Sequence, residues 1–388
     1  MSYGVDTVSS MALPTSTEDA LWYGLANLRD GKGAIYIQSA GNGFQTFYDY
    51  STGQQASCSA AVEKGLSCQT TAMDPNFVHP AIIGVAALDA SGLAASYSTA
   101  GAANWISAPG GEYGQNVTYA GQGNGDPAIM TTDSAGCSTG YVWSGSSSAI
   151  NSFDDNGNHS ENADCNYTSS FNGTSAAAPM VSGVVALMLE ANPSLTWRDV
   201  KHVLATTARQ VNVDRPAITL NEAIVEPAWT KNSAGYMFHN SYGFGAMDAK
   251  AAVAAAREYS MGTLGTYFVT RELSSDQLSL QFAGLDEVGD TLSLTEVGVV
   301  ESVRIKVFAN HTKPSGLSVA LVSPSGTRSV LLTPLNGYAR WNTSQYVELS
   351  TNAFYGESIR GDWKLEIQDH LPGDGGVLNR WSIKVYGH

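Results

Sequence analysis

The sequence predicts an α/β domain followed by an all-β sandwich, because the pattern of its apolar segments changes near residue 265. Residues 34–38 (AIYIQ) are typical of a buried strand, and residues 180–189 (MVSGVVALML) of a buried helix. Over residues 265–388, short alternating strands follow one another with turn signals between them. Alternating strands without helices favour a β-sandwich. We therefore expect two domains, 1–262 and 263–388.

The composition is that of a globular protein with conventional cores. The chain has 388 residues, of which 43% are apolar and only 14% charged. Its net charge of −15 argues against nucleic acid and anionic membranes as partners, and is compatible with cationic substrates and bound calcium. We find no apolar run that approaches the length of a membrane span, and the first residues lack the pattern of a signal peptide.

The strongest candidate for a functional residue is Ser175, in the segment FNGTSAAAP at residues 171–179. Small neighbours leave room for a substrate backbone, and the apolar helix begins at this serine. Backbone N–H groups at a helix start are unpaired and carry partial positive charge, so they can face an incoming carbonyl. A serine that only caps a helix would not require this combination of neighbours. We predict that Ser175 is a nucleophile.

The second candidate is Asn42, in the segment SAGNG at residues 39–43, directly after the first buried strand. A glycine-rich turn there presents one amide side chain. Such a donor can stabilise negative charge that develops on a substrate oxygen. Taken alone, Asn42 could equally be a turn residue that tolerates a left-handed backbone.

These two segments resemble the nucleophile and oxyanion segments of the subtilisin-like serine proteases, in that family's order. Residues 241–245 (SYGFG) also resemble the closing turn of the catalytic domain in kexin-like members. Residues 321–329 (LVSPSGTRS) and 361–365 (GDWKL) resemble the P domain that follows it. The resemblance implies a partial three-layer α/β domain with a mostly parallel sheet, then a jelly-roll-like sandwich that stabilises the protease. It implies a serine endopeptidase that acts through an acyl-enzyme.

The resemblance also implies roles for individual residues. Asn42 would donate to the oxyanion, and the primary pocket for a basic side chain would contain Asp74, although a loop Asp before Pro75 is the alternative. Thr99 stands where kexin-like members tend to carry Glu, so a preference for basic residues would be less strict. The implied substrate-binding residues are Ser2, Tyr3, Gly4, Ala40, Gly41, Asp74 and Thr174.

The general base is the missing part of this arrangement. A serine hydroxyl needs a base, and the base needs a carboxylate that fixes its tautomer. The family carries both in Asp-x-Gly and His-Gly-Thr signatures before the oxyanion Asn, and the sequence before Asn42 contains neither. We therefore expect the chain alone to be inactive and poorly stable, with the base on an N-terminal segment of the same protease outside these 388 residues. A natural pseudoenzyme that binds peptides is the alternative.

Four cysteines indicate the redox environment. Cys58–Cys68 and Cys137–Cys165 are two natural pairings, and no C-x-x-C motif suggests zinc. Disulfides favour an oxidising compartment, so we expect a secreted or periplasmic protein. Four unpaired buried thiols in a cytosolic protein are the alternative.

A candidate calcium site lies in residues 154–164 (DDNGNHSENAD), where oxygen-bearing side chains alternate around a glycine. Calcium binds six to eight oxygens on flexible loops. The segment lacks the final Glu of an EF-hand, and a solvated acidic turn is the alternative. The predicted ligands of a structural Ca²⁺ are Asp154, Asn156, Asn158 and Asp164.

Overall fold

A computed structural model describes residues 1, 13–49, 52–114, 126–142, 151–338, 346–373 and 375–388. The predicted substrate-binding residues Ser2, Tyr3 and Gly4 lie outside these ranges.

The described α-helices all lie before residue 262. They are α1 (Thr15–Asn27), α2 (Ser59–Glu63), α3 (Thr174–Ala191), α4 (Trp197–Thr207) and α5 (Ala249–Glu258). A short 3-10 turn occupies Thr71–Met73. The strands of this part are β1 (Tyr36–Ser39), β2 (Thr46–Asp49), β3 (Gln54–Ser57), β4 (Ile82–Leu88), β5 (Asn104–Pro109), β6 (Ile129–Thr132), β7 (Tyr167–Phe171), β8 (Ile218–Leu220), β9 (Ala223–Glu226), β10 (Thr230–Lys231) and β11 (Met237–Phe238).

A parallel sheet in the order β1-β4-β5 forms the middle of this part. Successive side chains of a strand point to opposite faces, and β4 shows this directly. Ile82 packs with Leu21 of α1 on one face, whereas Ile83 packs on the other face in a core that includes residues of α3, α4 and α5. Helices therefore cover both faces, and the predicted three-layer α/β architecture is confirmed.

Antiparallel strand pairs make up the remaining strands of the first part. In the sequence, β2–β3 follows β1, β6–β7 lies between β5 and α3, and both β8–β9 and β10–β11 lie between α4 and α5. Helix α4 begins where the sequence predicted, because Thr196 and Asp199 form a reciprocal capping box. Both predicted disulfides, Cys58–Cys68 and Cys137–Cys165, are present.

The last part of the chain is an antiparallel sandwich, as predicted. Its strands are β12 (Phe268–Val269), β13 (Leu273–Ser274), β14 (Leu280–Ala283), β15 (Glu287–Leu294), β16 (Val300–His311), β17 (Leu317–Val322), β18 (Arg328–Leu332), β19 (Val347–Thr351), β20 (Gly361–Asp369) and β21 (Gly375–Gly387), with a 3-10 turn at Pro314–Gly316. One sheet joins β12, β13 and β14 to β21, then β16 and β19; the other has the order β15-β20-β17-β18. The inward side chains of both sheets form one core that includes the fully buried Trp363 and Trp381.

The two parts share an interface with apolar, polar and charged contacts, and Ala72, Met73 and Ala102 of the first part belong to the sandwich core. The Asn352 side chain donates to Ala103 O at 2.8 Å, and the Asn352 main-chain N donates to Ala102 O at 2.9 Å. Arg198 of α4 pairs with Glu301 of β16. The sandwich is thus joined directly to the edge of the parallel sheet and to a helix that covers it.

Helix α3 corrects one expectation from the sequence. It has 18 residues, and by length and composition it is apolar enough to span a membrane. Here it contacts β1, β4, β5 and α5 instead, as the core helix of a globular domain does.

Candidate active site

Ser175 is the second residue of α3, and the turn before it requires a glycine. Gly173 caps the helix with φ 106° and ψ 161°, a backbone conformation that residues other than glycine rarely adopt. A Cβ on Gly173 would also lie 3.3 Å from the amide nitrogen of Asn42. The turn therefore brings the backbone just before Ser175 against the Asn42 side chain.

Thr174 joins the two candidate catalytic segments. The amide oxygen of Asn42 accepts hydrogen bonds from Thr174 N at 3.0 Å and Thr174 Oγ1 at 2.9 Å. Gly41 N donates to Thr174 Oγ1 at 3.1 Å. Because two donors hold the Asn42 oxygen, the orientation of the amide is set, and its N–H groups are the end that can donate to a substrate. The structure thus brings Gly41, Asn42, Thr174 and Ser175 together.

Thr99 hydrogen-bonds to the turn that carries Asn42. Gly43 N donates to Thr99 Oγ1 at 2.8 Å, and Thr99 N donates to Gly41 O at 3.0 Å. Ala40 is buried, and its N–H donates to Val85 O of β4 at 2.8 Å. Thr99 thus helps to fix the conformation of the turn that carries Asn42.

Asp74 ends the 3-10 turn that packs against the sandwich. Its Oδ1 accepts from Asn76 N at 2.8 Å. Burial raises the pKa of the Asp74 carboxyl to about 6, and hydrogen bonds from Asn76 and Phe77 oppose the shift. The same turn contacts β18 and β19. The role of Asp74 in a pocket for basic side chains stays a prediction.

The seven histidines contact other parts of the fold. His79 packs on Trp22, and His239 packs on Trp229 and Tyr242; burial lowers the pKa of both imidazoles to about 3. His159 packs on Phe153, and His202 hydrogen-bonds with the Tyr355 hydroxyl. His311 contacts Asp369, His370 contacts Ser318 and His388 contacts Glu301. These contacts support the expectation that the histidines pack or pair within the fold.

The acidic loop holds its first predicted ligand in hydrogen bonds within the protein. Both oxygens of Asp154 accept from Ser169 N at 2.9 and 3.2 Å, and Thr168 Oγ1 donates to one of them at 3.1 Å. Across the ranges described above, no group of three or more His, Cys, Asp or Glu side chains could hold a metal. The Asp154 oxygens thus already have partners from β7. Calcium binding by Asp154, Asn156, Asn158 and Asp164 stays a prediction.

Family models match both parts of the chain. Residues 1–245 match the subtilase family, and residues 300–385 match the proprotein convertase P-domain. The chain belongs to the subtilase family.

Relatives of this subtilase include bacterial proteases and animal convertases. It is 31% identical to the Aeromonas extracellular serine protease of Aeromonas sobria over 446 residues, covering 100% of this chain and 67% of the relative. It is 29% identical to the microbial serine proteinase of Aeromonas salmonicida, covering 87% and 56%. Identity to proprotein convertase subtilisin/kexin type 5 of Homo sapiens is 33%, covering 57% of this chain and 12% of the convertase.

Solved structures agree with the fold. The crystal structure of the Aeromonas sobria serine protease superposes with a TM-score of 0.83 at 28% identity, covering 100% of this chain and 70% of that one. A second structure holds the same protease in complex with a chaperone, again with a TM-score of 0.83.

Proposed function

We propose that this chain carries the nucleophile and the oxyanion donor of a serine endopeptidase. The observation that supports this most directly is the Thr174 bridge, which holds the Asn42 amide beside the start of α3. Ser175 Oγ would attack the substrate carbonyl while its proton passes to a base. The Asn42 N–H and the Ser175 N–H would stabilise the oxygen of the tetrahedral intermediate. Collapse would break the peptide bond, give the proton to the leaving amine and leave an acyl-enzyme that water hydrolyses.

We propose that the base and its carboxylate come from an N-terminal segment of the same protease, outside these 388 residues. The sequence before Asn42 contains neither of the signatures that carry them in the family. The seven histidines contact the aromatic, hydroxyl and carboxylate groups described above. Without the base, kcat would fall by roughly a million-fold, the size of the loss when the triad histidine of subtilisin is removed.

The exposed face of α3 supports binding of such a segment. Met180 is 39% exposed and Leu187 51% exposed, and a Cβ on Gly183 would meet nothing within 4 Å. These residues follow one another at helical spacing, so they form one stripe opposite the buried one. A helix that is apolar on all sides is normally buried on all sides. A covering polypeptide would therefore complete the domain.

Secretion and substrate are further proposals. Two disulfides and the extracellular relative support an oxidising compartment. Asp74 supports a preference for basic residues at the cleavage site. The solved complex of the Aeromonas protease with a chaperone supports a protein partner for this chain as well.

Peptide hydrolysis by the complete native gene product tests the proposal. We expect Ser175→Ala to lower kcat by roughly a million-fold and Asn42→Ala by about 10²–10³-fold, the losses seen for the corresponding groups of subtilisin. Ser91→Ala, in an exposed turn, is the matched control. A fluorophosphonate should label Ser175, which mass spectrometry of the peptides would locate. A gene product that binds peptides but is never acylated would favour the non-catalytic alternative.

A further inference from the structure

We infer that Tyr97 is a positioning residue that joins the nucleophile turn to the oxyanion turn. The inference rests on the proposed function of Ser175 and Asn42. Tyr97 lies in the segment ASYST at residues 95–99, between β4 and β5, and is 5% exposed. Its side chain contacts the nucleophile turn, and its backbone contacts the oxyanion turn.

The Tyr97 hydroxyl lies between the nucleophile turn and the residues that follow β5. Gly173 N, two residues before Ser175, donates to this hydroxyl at 2.8 Å. The hydroxyl lies 2.9 Å from Gly110 O and 2.6 Å from Gly111 O, to which it donates. Burial raises the pKa of Tyr97 well above its usual range, so the hydroxyl keeps its proton and can donate at any working pH. One buried hydroxyl therefore connects the helix cap to the end of β5.

The backbone of the same segment holds the oxyanion turn. Phe44, which lies two residues after Asn42, donates from its main-chain N to Tyr97 O at 3.1 Å. Thr99, two residues after Tyr97, donates from its main-chain N to Gly41 O and accepts from Gly43 N at its hydroxyl. A short and buried stretch thus contacts both turns. Their separation is set by Tyr97 as well as by the Thr174 bridge.

The Tyr97 segment is itself held rigidly. The Glu112 carboxylate accepts from Ser96 N at 2.6 Å and Ser96 Oγ at 2.8 Å. Ala87 N of β4 donates to Ser98 Oγ at 2.9 Å. The Tyr97 ring meets Tyr113 edge-on, with centroids 6.0 Å apart. A rigid support is what a catalytic group needs, because small displacements of reacting atoms slow the chemistry strongly.

Tyr97→Phe is the decisive variant because it removes the hydroxyl and keeps the ring. Tyr113→Phe is the matched control, with the same chemical change in the ring that packs against Tyr97. In the complete gene product we expect Tyr97→Phe to lower kcat about 10-fold, with KM changed less than about 2-fold. We expect Tyr113→Phe to show no such loss of kcat at a nearly constant KM.

Amide hydrogen exchange gives a readout that does not depend on activity. In the 388-residue chain, we expect Tyr97→Phe to speed exchange at Gly173 by about 10-fold, and Tyr113→Phe to leave it unchanged. Unchanged exchange at Gly173 would overturn the inference whatever the enzyme does. Faster exchange with unchanged kcat in an active enzyme would also overturn it. An inactive unmodified protein would contradict the proposed function, and the exchange measurement would still decide whether Tyr97 positions the turn.

Discussion

The sandwich and the α/β part close their hydrophobic cores in different ways. In the sandwich, two sheets face each other, and the inward side chains of both are buried, including Trp363 and Trp381. In the α/β part, three strands support a central helix whose outer stripe, with Met180 and Leu187, is exposed. The sandwich core is therefore covered by its two sheets, and Ala72, Met73 and Ala102 of the α/β part join it. The α/β part instead presents an apolar surface on which further polypeptide can pack.

Two neighbours on α3 express this contrast within one helix. Met188 is fully buried against the sheet, whereas Leu187 is 51% exposed. Both are large apolar residues of similar volume, so the sequence alone does not separate their roles. Substitutions in the two parts can compare how much buried and exposed side chains contribute to the free energy of unfolding.

Trp363→Ala should destabilise the sandwich most. Trp363 is fully buried, meets Phe354 edge-on, and donates from Nε1 to Ile359 O at 2.9 Å. Truncating a buried Trp costs about 3–5 kcal/mol of unfolding free energy. Urea unfolding followed by circular dichroism measures it. Val297→Ala, at a residue that is 76% exposed, is the control and should change stability by less than about 0.5 kcal/mol.

Met188→Ala and Leu187→Ala should separate the two faces of α3. In the 388-residue chain, Met188→Ala should cost about 2–5 kcal/mol and Leu187→Ala less than about 0.5 kcal/mol. In the complete gene product, we expect Leu187→Ala to cost more, because the proposed covering segment would bury the side chain there. Equal effects of Leu187→Ala in both proteins would contradict a covered α3 face.

Asn352→Ala should weaken the link between the two parts. The change removes the side-chain donor that bonds to the buried Ala103 carbonyl at 2.8 Å, a loss of about 0.5–1.5 kcal/mol. We expect the unfolding curves from tryptophan fluorescence and circular dichroism to separate in the variant. Coincident curves would indicate that the link is not needed for cooperative unfolding.

Asp74→Asn should change how stability depends on pH. The folded pKa of about 6 lies above the ordinary value of 3.8, so the fold favours the protonated carboxyl. This contribution is present below pH 3.8 and is lost as pH rises through about 6. The melting temperature of Asp74→Asn should therefore rise relative to the unmodified chain between about pH 4 and 7. Asp89→Asn, in a surface turn, is the control. Melting temperatures of Asp74→Asn and the unmodified chain that change with pH in parallel would contradict burial of Asp74.

Much of the fold was predictable because its signals are local. Alternating strands after residue 265, the apolar pattern of α3 and the cap at Thr196 each follow from short segments. The pairing of cysteines was also predicted, since Cys58–Cys68 closes a short loop. The exposed stripe of α3 was missed, because a uniformly apolar helix gives no sign of which face is covered.

The candidate site was predicted only in part. Asn42 and Ser175 lie in short motifs that can be read directly. Tyr97 was missed because its hydroxyl acts on Gly173, 76 residues away, and no local pattern marks such a contact. No local pattern indicates that Ser169 and Thr168 donate to the Asp154 oxygens either, since those partners come from β7.

The most direct test of a divided catalytic centre is fluorophosphonate labelling of Ser175 in two proteins. The first is the 388-residue chain alone, and the second is the complete native gene product. We predict labelling at Ser175 in the second and labelling slower by several orders of magnitude in the first. Equal labelling rates would contradict a divided centre, because the base would then lie within these 388 residues.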